Sequence, residues 1–335
     1  MKTYFAKLLI CFFAFFSACH AGGGITHMFL AQEAIAKLPD ARLRNLLMDN
    51  MDAYLVGAFY PDSGYIKGTH YGEDSHWDPF IYAFADHIND KYTDPVSQNP
   101  RLVAFLFGCA AHRVSDEIIH WTFYSVSKEK DFNGDYDKAH SYGDTGIDIL
   151  VNVDKFLWFS QPSSWWVPVK DLVQVYHRMG KDEYTATQII WGNTVISFAG
   201  FGVRLIATPA YPILRWKMPW TSRHYYNWPE GGMQMDKDSI VEYQISLWNR
   251  LLNKSGKLAN IGNGVKRQDT SLATIQPHTD VSPVTALTES ALESGIITIP
   301  NKTNDDGSVE IQQPVIHQLN KLHALVRQFL ANFLG

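Results

Sequence analysis

Cysteine, clustered positive charge and long apolar runs are all scarce in this chain of 335 residues, and each scarcity excludes something. The 3 cysteines are Cys11, Cys19 and Cys109. Two of them precede His20, so Cys109 stands alone in the rest of the chain and has no intramolecular disulfide partner. Stability must come from core packing or from bound ions. Within FLFGCAAH, Cys109 reads as a small buried helix residue and not as a reactive thiol. The 29 Lys and Arg residues are scattered and outweighed by 34 Asp and Glu, for a net charge of −5. With no polybasic face, no stable nucleic acid partner is expected, and a phosphate site would have to draw its positive charge from metal.

The apolar run Leu8 to Phe16 follows Lys2 and Lys7 and meets the small residues Ser17 and Ala18, then CHA ending at Ala21. It is too short to span a bilayer and has the layout of a secretory signal. The expectation is a signal peptide over residues 1–21, a mature chain that begins at Gly22 and has no transmembrane helix, and a secreted or periplasmic location. A competing reading takes FSAC as a lipoprotein signal acylated at Cys19, with Phe16 standing where Leu is usual.

A hydrophobic content of 46% is ample for a large core. Apolar residues recur at helical spacing in Ala31 to Leu38, Pro100 to Ser125, Asp144 to Phe159, Val169 to Met179, Thr185 to Thr208 and Asp238 to Asn253. The fold class expected is therefore all-α, a multi-helix body over residues 22–255. After Ser255 the composition turns to Thr, Ser, Asn, Asp and Gly, with short β-branched stretches at Gly295 to Ile299 and Ser308 to Ile311. From Pro314 to Leu334, Ile316, Leu319, Leu322, Val326, Leu330 and Phe333 form one helical stripe. Residues 256–335 are expected to be a C-terminal extension, a polar linker or small sub-domain followed by an amphipathic helix that docks on the body.

Chemistry concentrates in the first half. His27, Asp62, His76, His112, Asp116, His120, His140 and Asp144 suit a cluster of zinc ions, since imidazole and carboxylate are the donors that a borderline-soft divalent ion takes. In HRVSDEIIH, His112, Asp116 and His120 are four apart, which places all three on one face of an α-helix. HSYGD repeats the spacing with His140 and Asp144. Apolar neighbours on both sides make unpaired charge expensive there, and metal supplies the missing partner. Three zinc ions need about nine ligand groups once a bridge is shared, one more than these side chains offer. A free α-amino group on Gly22, with its carbonyl, would complete the set.

Several motifs resemble the zinc-dependent phospholipase C superfamily, which also contains single-strand-specific zinc nucleases, and within it the N-terminal catalytic domain of phospholipases D specific for glycosylphosphatidylinositol. They are GITH around His27, GAFYPD ending at Asp62, SHWDPF around His76, VAFLFG followed by HxxxDxxxH, DFxGxY followed by AHSxGD, and WxVPVKDL from Trp166. The resemblance runs from about Gly22 to about Gly256. It implies that Asp62, His76, His112 and Asp116 hold one zinc, that Gly22, His27 and Asp116 hold a second, and that His120, His140 and Asp144 hold a third. Asp116 would bridge two ions. Phospholipase C members carry Glu where this chain has Asp144, an Asp shared with the nucleases.

Three Zn²⁺ against three aspartates would leave about +3 facing a phosphodiester, with activated water as nucleophile and Asp62 both a ligand and a proton acceptor. The function expected is a secreted zinc phospholipase of C or D type, acting on phospholipids or glycolipid anchors at a membrane surface. The alternatives are a single-strand-specific zinc nuclease and a non-catalytic module that keeps zinc for stability. Phe59, Tyr60, Tyr65, Trp77 and Trp121 neighbour the ligands in sequence, with packing or substrate stacking as their two readings. His70, Glu73 and Asp74 are expected to hydrogen-bond the ligands, and Trp165 and Trp166 to be structural.

Overall fold

The computed structural model describes residues 23–157, 162–253, 292–293 and 301–312. Helix α1 (Gly24–Ile35) is followed by α2 (Ala41–Asp49), whose first turn is capped by the Asp40 carboxylate accepting from the Arg42 and Leu43 amides. Next come α3 (Met51–Phe59), a 3₁₀ turn (Pro61–Tyr65), α4 (Gly72–Ser75), α5 (Asp78–Lys91) and α6 (Pro95–Gln98). Helix α7 (Pro100–Ile118) starts with Pro100 in its first turn and Asn99 accepting from the Leu102 amide, then passes through a π turn (Ile119–Phe123) into α8 (Tyr124–Asp131). After α9 (Tyr136–Asp154), strand β1 (Trp165–Val167) and α10 (Val169–Arg178) lead to the long α11 (Ala186–Lys217), opened by a Thr185/Gln188 capping box. The short α12 (Thr221–His224), α13 (Met233–Asn253) and strands β2 (Asn301–Thr303) and β3 (Val309–Ile311) complete the order.

Helix α7 is the axis of the core, buried at every residue from Leu102 to Ile118. Two glycines let α3 lie directly on it. A Cβ on Gly57 would stand 2.2 Å from the Phe105 carbonyl oxygen, and one on Gly108 would stand 2.1 Å from that of Tyr54. Both obstacles are backbone, so alanine at either position forces the helices apart. Gln244 on α13 locks the crossing by donating to both the Tyr54 hydroxyl and the Phe107 carbonyl. The crossing fixes the height of Ala58 beside His112, which the metal centre uses.

The only sheet among the described residues is small, with strand order β1-β3-β2 and both pairs antiparallel. Trp165 lies opposite Ile311 and Val167 opposite Val309. A hairpin from beyond Ser255 is thus stitched to the helical body, and Trp165 and Trp166, 1% and 3% exposed, are core residues. The all-α expectation holds, with this sheet as its one addition. Helices α2, α3 and α5 were not anticipated, α1 starts at Gly24 instead of Ala31, and α9 starts at Tyr136 instead of Asp144. Gly295 to Ile299, the Pro314 to Leu334 stripe, Gly22 and the Leu8 to Phe16 run lie outside the described residues.

Candidate metal centre

Six elements bring all eight predicted side chains together. His27 comes from α1, Asp62 from the 3₁₀ turn, His76 from the end of α4, His112 and Asp116 from α7, His120 from the π turn, and His140 and Asp144 from α9. They form three groups, the first two sharing His112: His27, His112 and Asp116; Asp62, His76 and His112; His120, His140 and Asp144. Within each group one donor atom per residue lies within 4.8 Å of the others.

Asp116 is the hinge of the arrangement. Its Oδ2 is 3.4 Å from His76 Nε2 and 3.6 Å from His112 Nε2, while its Oδ1 is 3.2 Å from His27 Nε2 and 3.6 Å from His120 Nε2. Asp62 Oδ1 stands 3.4 Å from His76 Nε2 and 3.6 Å from His112 Nε2. Asp144 reaches His120 and His140, each at 3.7 Å. Most of these separations are long for a hydrogen bond. They match the edge of a zinc tetrahedron, since two ligands at about 2.0–2.1 Å from the ion stand about 3.4 Å apart.

Backbone and hydroxyl partners fix which nitrogen faces the cluster. His76 Nδ1 is 2.6 Å from the Gly72 carbonyl and His112 Nδ1 is 2.9 Å from the Ala58 carbonyl. A carbonyl only accepts, so both rings carry their proton on Nδ1 and turn an Nε2 lone pair inward. Ser115 donates its hydroxyl to the His112 carbonyl and therefore accepts from His27 Nδ1 at 2.6 Å, with the same result. His112 Nε2 is fully buried and has no hydrogen-bond partner, an arrangement that is costly without an ion and natural with one. Although burial pushes the Asp116 carboxyl up, His120 and His112 hold it well below the usual range, so this bridge is anionic. Burial likewise pulls His120 down to about 4, against Asp116, and keeps the ring neutral as a ligand must be.

The regular-helix expectation for HRVSDEIIH ends at Ile118. His120 sits in the π turn, whose wider winding departs from four-residue spacing, and there it approaches Asp116 and Asp144 together. Gly22 is outside the described residues, but its neighbour is placed. Gly23 adopts φ 93°, and a Cβ on it would meet His27 Nε2 at 3.1 Å. The start of α1 is held by Asp148 on α9. One carboxylate oxygen accepts from the Gly23 and Ile25 amides at 3.3 and 3.2 Å, the other from the Thr26 amide and hydroxyl at 2.7 and 2.6 Å. Asp148 was not singled out from the sequence, although it continues the four-residue column His140, Asp144.

Residues 26–189, which contain all eight side chains, match the family model described as zinc dependent phospholipase C. Those residues are similar to the zinc-dependent phospholipase C family. The chain is 31% identical over 241 residues to phosphatidylinositol-glycan-specific phospholipase D of Homo sapiens, covering 65% of this chain and 28% of that protein. The proteins of the same name from Rattus norvegicus and Dictyostelium discoideum are each 29% identical, over 68% and 55% of this chain and 29% and 20% of their own lengths. The chain spans less than a third of these relatives. No solved structure gives a significant match.

Around the candidate metal centre, the aromatic residues divide. Tyr60 is buried in a ring cluster with Tyr71, Phe80 and Phe105, and Phe59 packs on Trp165, so both are packing residues. Tyr65 lies 5.0 Å from the His76 ring, and Glu73 accepts from both the Tyr65 hydroxyl and the Trp77 indole. Glu73 and Asp74 were expected to steady the ligands directly. Instead Glu73 steadies these rings, and Asp74 accepts from the Tyr184 hydroxyl and pairs with Lys181. Carbonyls of Gly72 and Ala58 take the orienting role, and no sequence pattern marks a carbonyl. Tyr124 donates to Asp144 Oδ1 at 2.7 Å. Asp236 on α13 is fully buried, and burial, with the charge of Asp116, pushes its carboxyl well above the usual carboxylate range.

Proposed function

We propose that this chain is a secreted phosphodiester hydrolase that binds three zinc ions and cleaves a phospholipid or a glycolipid anchor. The observation that carries it is Asp116, whose two oxygens face separate groups of histidines at zinc-ligand spacing. Asp62, His76, His112 and Asp116 would hold one ion, His27 and Asp116 with the Gly22 amine and carbonyl a second, and His120, His140 and Asp144 the third. Zinc bound there supplies Lewis-acid charge for a phosphodiester and makes water acidic enough to act near neutral pH. The glycolipid anchor is drawn from the names of the relatives.

The protein's own groups do the rest. The Nδ1 bonds of His76, His112 and His27 spare these rings any reorientation during turnover. Asp62 lies at the rim of the inner groups, its side chain 14% exposed against 8% for Asp116, and from there it accepts a proton from incoming water. His120, at 25%, is the most open ligand and marks the side from which a headgroup arrives. Among the described residues no single helix is long and apolar enough to cross a membrane.

The test is to offer zinc-loaded protein phosphatidylcholine, a glycolipid-anchored protein and single-stranded DNA, and to identify the products. Lipid cleavage that a chelator abolishes is expected, with diacylglycerol marking C-type and phosphatidic acid D-type cutting. Release of nucleotides with no lipid product would overturn the proposal in favour of a nuclease.

A further inference from the structure

We infer that residues 206–217, the C-terminal arm of α11, form the surface on which the enzyme docks to an anionic phospholipid bilayer. This rests on the lipid hydrolase reading above. Helix α11 bends by 70° between Ala186–Arg204 and Ile206–Lys217. Pro209 has no amide hydrogen to give the carbonyl four residues back, at position 205, and this missing bond is the cause of the bend.

Beyond the bend the arm is apolar on two opposite faces. Ala207, Ala210 and Leu214 are buried against the body. At 100° per residue, Pro209, Pro212, Ile213 and Trp216 fall within about 100° of one another on the outer side. Pro209, Pro212 and Trp216 are exposed, Trp216 at 72%, and Ile213 is half-buried. A helix on the surface of a water-soluble body ordinarily turns polar residues outward. Here the exposed Arg215 and Lys217 occupy the two flanks between the faces. An outer apolar stripe with cations along both edges is the pattern of a helix that lies in a membrane interface, ring and aliphatic groups among the acyl chains and cations at lipid phosphates.

Two neighbours extend the argument. Phe156 is 81% exposed and has φ 55°, a strained backbone for a bulky residue. It lies two residues after Asp154, whose carboxylate accepts from Tyr211 in the middle of the arm, which keeps this turn beside the arm. Lys217 Nζ lies 5.3 Å from the ring centre of Tyr142, a residue between His140 and Asp144 on α9. The arm therefore packs on the helix that carries the most open metal group, on the face about 160–200° round from His140 and Asp144.

The experiment uses the full zinc-loaded chain and vesicles of phosphatidylcholine with one-fifth phosphatidylserine. Three readouts are taken: the fraction bound on flotation, hydrolysis of the vesicle lipid, and hydrolysis of a short-chain phosphatidylcholine kept below its micellar concentration. The variants are Ile213→Ser/Trp216→Ser and, separately, Phe156→Ser, each checked for unchanged zinc content and helicity. Binding and vesicle hydrolysis should fall by about tenfold in the double variant and less in Phe156→Ser, with soluble-substrate turnover unchanged. Wild-type binding by both variants, no binding by the wild type, or a dimer that Trp216→Ser converts to monomer would overturn the assignment. Vesicle binding without any hydrolysis would instead sink the catalytic reading and leave the docking surface standing.

Discussion

The inner ligand groups and the outer one use the same residue types in opposite surroundings. His112, His76 and His27 have side chains 0%, 3% and 5% exposed, and each Nδ1 is tied to a carbonyl or to Ser115. His120, His140 and Asp144 are 25%, 12% and 13% exposed, and one of them sits on a π turn instead of a regular helix. Burial with fixed tautomers suits permanent retention of metal. Partial exposure suits an ion that meets substrate. One helix, α7, runs straight into both, so the rigid and accessible halves of the centre share a backbone.

The largest effect should come from Asp116, the residue common to both halves. Asp116→Ala is expected to lose inner-site zinc and to lower turnover by more than the roughly 10–100-fold that loss of an outer-shell partner costs. His140→Ala should separate the halves, abolishing most activity while the inner zinc and the fold remain. Equal loss of zinc and helicity in the two variants would erase the distinction drawn above.

Next is the tether between α9 and α1. Asp148→Asn replaces one of two accepting oxygens with a donor and should weaken zinc at the His27 group about tenfold, with the Asp62, His76 and His112 group unaffected. Extra residues left ahead of Gly22 should produce the same selective loss. Full zinc content in both proteins would show that the start of the chain is no part of the site.

How much of this was legible depended on what kind of atom does the work. Side-chain ligands announce themselves by spacing: HxxxDxxxH and HSYGD named five of the eight, and their place on helices followed from apolar periodicity. Orienting groups do not. The Gly72 and Ala58 carbonyls are invisible in a sequence, and Ala58 reaches His112 only because Gly57 and Gly108 let two backbones touch. The π turn at His120 was hidden because its residues also fit an α-helical period. Helix α3 was missed for a related reason: it is buried at all of its last seven residues, so no polar face alternates with its apolar one. The β-branched stretch Ser308 to Ile311 announced β3, but its partner β1, Trp165 to Val167, is too short and too far away in the chain to read as a strand.

A smaller effect concerns pH in the metal-free protein. Burial lowers the His120 pKa to about 4, whereas the unfolded chain takes up that proton near 6.5. Stability should therefore be full above 6.5 and fall as the pH drops from there to about 4. A fully buried group would lose about 3 kcal/mol, and a side chain 25% exposed should lose less. Urea midpoints across that range, compared with His120→Gln, measure it, and a parallel pair of curves would refute it. The smallest effect is none: His177, exposed and 3.8 Å from Asp182, should tolerate alanine with unchanged zinc content and turnover.

The most direct test is zinc content along a chelator titration, read beside hydrolysis and helicity on the same samples. Three equivalents should be present at the start. The first to leave should take activity with it while helicity holds, and the last two should leave together with the fold. A stable, fully active protein holding a single equivalent would contradict the three-ion centre and the division between its halves.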